Sequence, residues 1–299
     1  MHHAALRIPR TLLLMAALAC TPAFAQQAYP TTDAAAQAFV DALGTQKADQ
    51  AKLAALLGKD WRTFIPIEGV ERTDVDAFLK AYGEKHAIQT GSDGTAHLVV
   101  GTNTTWTLPI PLAKDAKGWH FDTRAAADEI RVRRIGRNED AAIEAAKAYH
   151  DAQMDYAEED RNGDGVMEYA RKFFSTDGKH DGLYWAEDDS GEISPLGPLF
   201  GDATPGSDWH GYHFRILEAQ GPSAPGGAYN YKLGDNMSRG FALIAWPAKY
   251  DDTGVMSFMI SHDGTLFQKD LGPGGEAQAK SMKAFDPDSS WSEVPASAQ

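Results

Sequence analysis

The chain has 299 residues, with 28 lysines and arginines against 42 aspartates and glutamates, a formal charge of −14 and a single cysteine. So acidic a surface repels a phosphate backbone and argues against nucleic acid as a partner, and one cysteine excludes an internal disulfide. The length favours two domains over one and is enough to bury a core without covalent staples.

The first residues read as an export signal. Arg7 and Arg10 form a positive n-region, Thr11 to Cys20 is an apolar stretch too short to span a bilayer, and Ala23-Phe24-Ala25 supplies a small-x-small cleavage pattern. Residues 1–25 are therefore expected to be a signal peptide and Gln26 the mature start, with the protein in the periplasm or secreted. Lipid attachment at Cys20 is the alternative, ranked lower because the residue three positions before it is Ala17 rather than a larger aliphatic. Cleavage after Ala25 removes the only cysteine, and with it thiolate catalysis. No later apolar run approaches membrane-spanning length.

Residues 26–123 read as a small α+β domain, helices first and sheet second. Asp33 is a candidate N-cap for a helix carrying Ala36, Phe39, Val40 and Leu43, and Gly44 ends it. Leu53, Leu56 and Leu57 mark a second helix, closed by Gly58. Trp61 to Ile67 is β-like, interrupted by Pro66. Thr73-Asp74 opens a third helix with Val75, Phe78, Leu79 and Tyr82. Strand-like runs follow at His97–Val100, Thr104–Ile110 and Trp119–Phe121, the last two linked by a turn containing Asp115 and Gly118. Trp106, Trp119 and Phe121 have strand spacing and are expected to fill a core rather than line a pocket.

Residues 124–159 carry the longest helical pattern, with Ala142, Ile143, Ala145, Ala146, Tyr149, Ala152 and Tyr156 at three- and four-residue spacing and Gly136 as a candidate kink. Arg131, Arg133, Arg134 and Arg137 are expected on a solvated face beside acids. Residues 160–210 are loop-rich. Tyr212–Glu218, Phe241–Trp246, Val255–Ser261 and Thr265–Lys269 then read as an antiparallel meander, the last pair joined through Asp263-Gly264. The long helix and meander form an expected second domain, 124–272. Residues 273–299 are expected to be a flexible tail onto which Phe285 and Trp291 could dock.

Several strings carry a resemblance. Gly118-Trp-His-Phe-Asp122, Arg134-Ile-Gly-Arg-Asn-Glu139, Gly165-Val-Met-Glu-Tyr-Ala170, Gly178-Lys-His-Asp-Gly-Leu-Tyr-Trp185, Gly221-Pro-Ser-Ala-Pro-Gly-Gly227 and His262-Asp-Gly264 with Lys269-Asp-Leu-Gly-Pro273 resemble a bacterial exported family catalogued as domain of unknown function 2950. That resemblance covers essentially the whole mature chain and implies location rather than activity. Residues 138–270 are more loosely similar to the globular part of type IV pilins and type II secretion pseudopilins. They share an Ala/Tyr-rich helix (Ala148-Tyr149, Ala152-Gln153, Tyr156), then Gly211-Tyr212-His213-Phe214, an Ala245-Trp246-Pro247 strand end and a final hairpin through Asp263-Gly264. A pilin carries this domain directly after its membrane helix, whereas here a separate domain intervenes, so the resemblance implies a fold and not filament assembly.

Two constellations bear chemistry. Asp160, Asn162 and Asp164 stand at positions one, three and five of a short loop, with Gly165 at six, the Val166 carbonyl at seven and Glu168 at nine, which is the spacing that wraps a loop around Ca²⁺. Arg171 occupies the twelfth position, where a bidentate glutamate is usual, so Asp177 or Asp181 would have to complete the shell. His180 and Asp181, with His210 and His213 further on, are the weak candidates for acid/base catalysis or a transition metal, set against packing roles in a loop-rich region. No nucleophile elbow, His-Glu-x-x-His or phosphate loop appears. The leading expectation is an exported, non-enzymatic α+β protein that binds an envelope protein or polymer and is stabilised by Ca²⁺. The alternative is a hydrolase of an envelope polymer using His180 and Asp181.

Overall fold

The computed structural model describes residues 26–65, 70–102, 106–161, 163–186, 191–197, 204 and 206–295. The expected signal peptide, Cys20, Pro66, Asn162 and the acidic run 187–189 lie outside the described residues. The chain divides into two compact units between Ala127 and Asp128.

The first unit is helices followed by a sheet. Helices α1 (Thr32–Leu43), α2 (Gln50–Leu57), α3 (Trp61–Phe64) and α4 (Arg72–Glu84) precede strands β1 (His86–Thr90), β2 (Ala96–Val100), β3 (Trp106–Thr107), β4 (Leu112–Asp115) and β5 (Gly118–Phe121). The cap of α1 is Thr31, whose hydroxyl accepts the Ala34 N–H; Asp33, the expected cap, sits inside the first turn. Trp61 to Phe64 is a helical turn rather than a β segment, closed by the Ile65 N–H on the Trp61 carbonyl, with the Trp61 ring buried. Strand β1 carries no core-facing alternation, its burial being slight, and it is recognisable only through its five-residue antiparallel pairing with β2. The β4–β5 turn forms where expected: the Asp115 carboxylate accepts the N–H groups of Lys117 and Gly118. Gly118, at φ 130°, also leaves room for the Tyr29 carbonyl, which a Cβ would strike. Phe121 fills the core against Phe39, with ring centroids 5.3 Å apart, whereas Trp106 is 44% exposed.

The second unit is built on α5 (Thr123–Tyr156), a helix of 34 residues that begins where Asp122 caps the N–H groups of Arg124 and Ala125 and runs through Gly136 without a break. Its buried stripe of Ala142, Ala146, Tyr149, Gln153 and Tyr156 repeats at alternating four- and three-residue steps. Strands β6 (Tyr212–Leu217), β7 (Ala219–Gln220), β8 (Tyr229–Asn230), β9 (Ala242–Pro247), β10 (Met256–Ser261) and β11 (Leu266–Asp270), then α6 (Gly275–Ser281) and β12 (Ser292–Glu293), complete the unit. The main sheet has the order β12-β11-β10-β9-β6, wholly antiparallel, with β7 and β8 as a separate ribbon. The fold is thus α+β, with N-terminal helices, a long central helix and a C-terminal meander.

Helix α5 packs on the face that carries Tyr212 and Phe258. Tyr149 reaches the Ala242 carbonyl at 3.2 Å and stacks edge-on against Phe241. The arginine-rich first half is held by acids: Arg131 pairs with Asp128 and Asp251, Arg133 with Glu129, and Arg134 with Asp252. Residues 273–295 are not a free tail. They form α6 and β12, and Phe285 and Trp291 are buried because the sheet's other face needs a cover. Phe285 meets Phe267 there, at 5.9 Å between centroids.

Gln153 tests this architecture. Its amide is fully buried, donating to Tyr149 Oη (3.0 Å) and the Ala170 carbonyl (2.8 Å) and accepting the Ala170 N–H (2.8 Å). Gln153→Ala strands both backbone groups of Ala170 away from water, at a cost on the order of 2–4 kcal/mol. Urea unfolding is expected to show an unfolding free energy lower by that amount and so a lower midpoint; an unchanged midpoint contradicts the docking of the 165–170 segment on α5.

Candidate functional site

Strand β6 ends the sheet, and a cavity of about 400 Å³ lies beside it. Helix α5 contributes Ala145, Ala148 and Tyr149, whose small residues leave the space open; β6 contributes His213 and Phe214; β9 contributes Leu243 and Trp246. The loop-rich segment supplies Phe173, Phe174, Leu196, Ser207 and Trp209, and α6 supplies Lys280. The Trp246 side chain is buried and its indole N–H has no hydrogen-bond partner among the described residues. Lys280 is paired with Glu276 at 2.7 Å, the contact that, with the nearby His213, holds the Glu276 carboxyl below its usual range. Ser207 donates its hydroxyl proton to the Thr204 carbonyl at 2.8 Å. An aromatic-walled cavity with few polar groups suits binding of an apolar group, and the described polar groups include no adjacent base and nucleophile.

Of the four acid/base candidates only His213 lines this cavity, its ring 5.6 Å from that of Trp246. His180 stacks on Trp185 at 4.1 Å, and its Nδ1 lies 2.9 Å from a Glu192 oxygen. Arg161 shares that Glu192 oxygen at 3.1 Å and lies over the Tyr156 and Trp185 rings. The Tyr156 hydroxyl donates to the His180 carbonyl; burial first, and then the charge of Glu168, push it up to about 12. Asp181 turns elsewhere, accepting from Lys172 Nζ (2.6 Å), the Thr176 N–H (2.7 Å) and the Thr176 hydroxyl (3.0 Å). His210 is exposed in a turn at φ 49°. Among the described residues no three His, Cys, Asp or Glu side chains are gathered as a metal site requires.

The 160–168 loop is curled by its first carboxylate. Asp160 accepts the N–H groups of Gly163 (2.8 Å), Asp164 (3.2 Å) and Gly165 (2.7 Å), and both glycines adopt positive φ. Asp164 accepts from the Val166 N–H and from Asn236 Nδ2, and Glu168 from the Met237 N–H, so both acids also dock this loop on the turn before β9. Asp181, offered as a completing ligand, is committed to Lys172 and Thr176.

Two features escaped the sequence reading. Arg215, mid-strand in β6, crosses to α6 and donates to the Ala279 and Met282 carbonyls at 2.6 Å each; burial pulls its guanidinium below the usual value. An arginine inside an apolar strand was the available signal. The cavity itself was foreshadowed only by aromatics crowded into a loop-rich stretch.

The class defined by this fold is a two-unit α+β protein whose second unit is a long helix on an antiparallel meander, with an apolar cleft at the sheet edge. The chain belongs to the family described as "Protein of unknown function (DUF2950)", whose model matches residues 26–294. No curated protein and no solved structure matches it. Among the described residues no helix is long and apolar enough to cross a membrane.

Asp181 makes a pH prediction. Burial alone would raise its carboxyl, but the Lys172 and Thr176 hydrogen bonds outweigh it and hold the group at about 2. An unfolded aspartate titrates near ~3.9. The depressed folded value contributes stability that is complete above ~3.9 and is lost as pH falls through about 2. Asp181→Asn is expected to lower the urea midpoint at neutral pH and to flatten the decline between roughly pH 4 and pH 2. Parallel declines in both proteins refute the assignment.

Proposed function

We propose that the protein is an exported, non-enzymatic binding protein of the periplasm or cell envelope, and that the cleft beside β6 holds its partner, an envelope protein or polymer. The observation that carries this reading is the cleft, which joins an aromatic lining to a shortage of reactive groups. The n-region, apolar stretch and Ala23-Phe24-Ala25 pattern support export. The helix-on-meander arrangement supports a pilin-like reading of the second unit, with α6 over the opposite sheet face as a departure. Hydrolysis through His180 and Asp181 has less to rest on, because the Asp181 carboxylate is spent on Lys172 and Thr176 while His180 faces Glu192.

A photo-crosslinking residue placed at Ala148 inside the cleft, with a second at exposed Lys80 as control, tests the reading in cells. The expected result is an envelope-fraction protein beginning at Gln26, with adducts specific to position 148. Equal adducts at both positions remove the cleft's role. Turnover of peptidoglycan or polysaccharide that Asp181→Asn or His180→Ala abolishes replaces binding with hydrolysis.

Ca²⁺ is the proposed ligand of Asp160, Asn162, Asp164, the Val166 carbonyl and Glu168. The curl that Asp160 imposes on residues 163–165 supports it, and the loop would draw its carboxylates together around a hard cation. With no twelfth-position glutamate, affinity is expected in the weak range of about 10⁻⁴–10⁻³ M. Millimolar Ca²⁺ should raise the melting temperature of EGTA-treated protein, Mg²⁺ should do less, and Asp164→Ala should abolish the difference. An identical melting temperature with and without Ca²⁺ leaves the loop a docking turn only.

A further inference from the structure

We propose that the outer edge of β6, unpaired at Phe214 and Ile216 among the described residues, takes up an extended polypeptide segment of a partner protein as an added strand, with one of the segment's apolar side chains entering the adjacent cavity; this rests on the binding reading above and names the class of ligand. Tyr212 lies opposite Pro247 in the β6–β9 ladder, and proline has no N–H to give. That pair is therefore a non-bonded one, as the bond from the Ala248 N–H to the Gly211 carbonyl (2.9 Å) independently requires. Alternation then turns the backbone groups of His213, Arg215 and Leu217 toward β9 and those of Tyr212, Phe214 and Ile216 away from it.

The two ends of this outward row are closed within the chain. Tyr212 exchanges both its bonds with Trp209, at 3.0 and 2.8 Å, and the Glu218 carbonyl accepts the Tyr231 N–H at 2.9 Å. Between them, the N–H and C=O groups of Phe214 and Ile216 meet no partner among the described residues. Two donors and two acceptors alternate there at a two-residue strand spacing of roughly 6.8 Å. Another extended backbone complements that pattern, whereas a glycan or a lipid chain does not.

The cavity supplies what strand addition otherwise lacks, a means of choosing a side chain. Phe214 itself lines it, together with Trp209, Phe173 and Phe174. A residue paired beside Phe214 projects on the same face as Phe214 and so into that space. The volume of about 400 Å³ admits a few side chains, as one face of a short strand presents. The chain's charge of −14 favours a neutral or basic segment.

The probe is a random heptapeptide library displayed on phage and panned against the full mature chain, the enriched sequences then being resynthesised with alternate amides N-methylated. Expected are sequences alternating apolar and polar residues. Methylation of the edge-facing set of amides should weaken binding about tenfold or more, and the intervening set should change it little. Ile216→Pro removes one outward donor while sparing the β9 ladder, and it should weaken the same peptides about tenfold at an unchanged melting temperature. Should that variant fail to fold, the contrast between the two methylated sets decides the matter alone. Absence of alternating sequences or equal loss from both methylated sets overturns strand addition, and a wild-type dimer in sedimentation that Ile216→Pro dissociates overturns a partner segment as the occupant. An apolar naphthylamine dye that Ala148→Trp excludes separates the two ideas. Dye binding without peptide binding leaves the cleft a binding site and removes strand addition, and failure of both removes both.

Discussion

The second unit depends on α5 holding one register against the sheet and the segments beside it, fixed by side chains that reach backbone at separated points along the helix. At one point Glu139 accepts the N–H groups of Val255 and Met256 at 2.9 Å each, while Asn138 donates to the Thr253 carbonyl at 2.8 Å. At the other, Gln153 satisfies both backbone groups of Ala170. Between them the stripe of alanines lets the helix approach closely and Tyr149 fills the remaining depth. Apolar contact alone is non-directional and would allow the helix to slide. Buried backbone groups that find a partner in only one register fix the alignment, because a shift of one residue leaves them unpaired.

The turn between β9 and β10 shows how closely the chain is fitted at this contact. Gly254 is buried against the Tyr212 ring, where a Cβ would collide with the phenol, and the Tyr212 hydroxyl donates to the Met256 carbonyl at 2.8 Å. Burial pushes that hydroxyl's titration upward, with the Glu139 charge acting in the same direction. Glu139, Tyr212, Gly254 and the 255–256 amides thus form one polar joint inside an otherwise apolar layer.

Much of this was legible in the sequence because it is periodic. The stripe from Ala142 to Tyr156, the four long strands and the Asp263-Gly264 hairpin each repeat with the geometry of their element. What was not legible depends on partners distant along the chain. Strand β1 has no apolar face and exists through pairing with β2, so propensity had nothing to detect. The segment after Leu271 lacks a pattern because its anchors, Phe285 and Trp291, are single residues, each burying one ring. At the candidate site the sequence singled out residue types suited to chemistry, and the contacts give several of them structural duties. Asp181 ties Lys172 to Thr176, and Asp164 and Glu168 tie their loop to residues 236–237. A carboxylate near backbone amides and one poised for catalysis look alike in sequence; only the surrounding donors distinguish them.

The cleft follows from the same economy of small residues. Ala145 and Ala148 adjoin the stripe that seats α5 on the sheet, and both face the cavity beside its last strand. A helix seated by alanines thus leaves a gap wherever its covering layer stops. Among the described residues the loop segment supplies Phe173, Phe174 and Trp209 as walls of that gap. Larger residues at 145 or 148 would narrow the cleft from the helix side. Alanine at both positions and aromatics around the space give the proposed added strand room for a side chain.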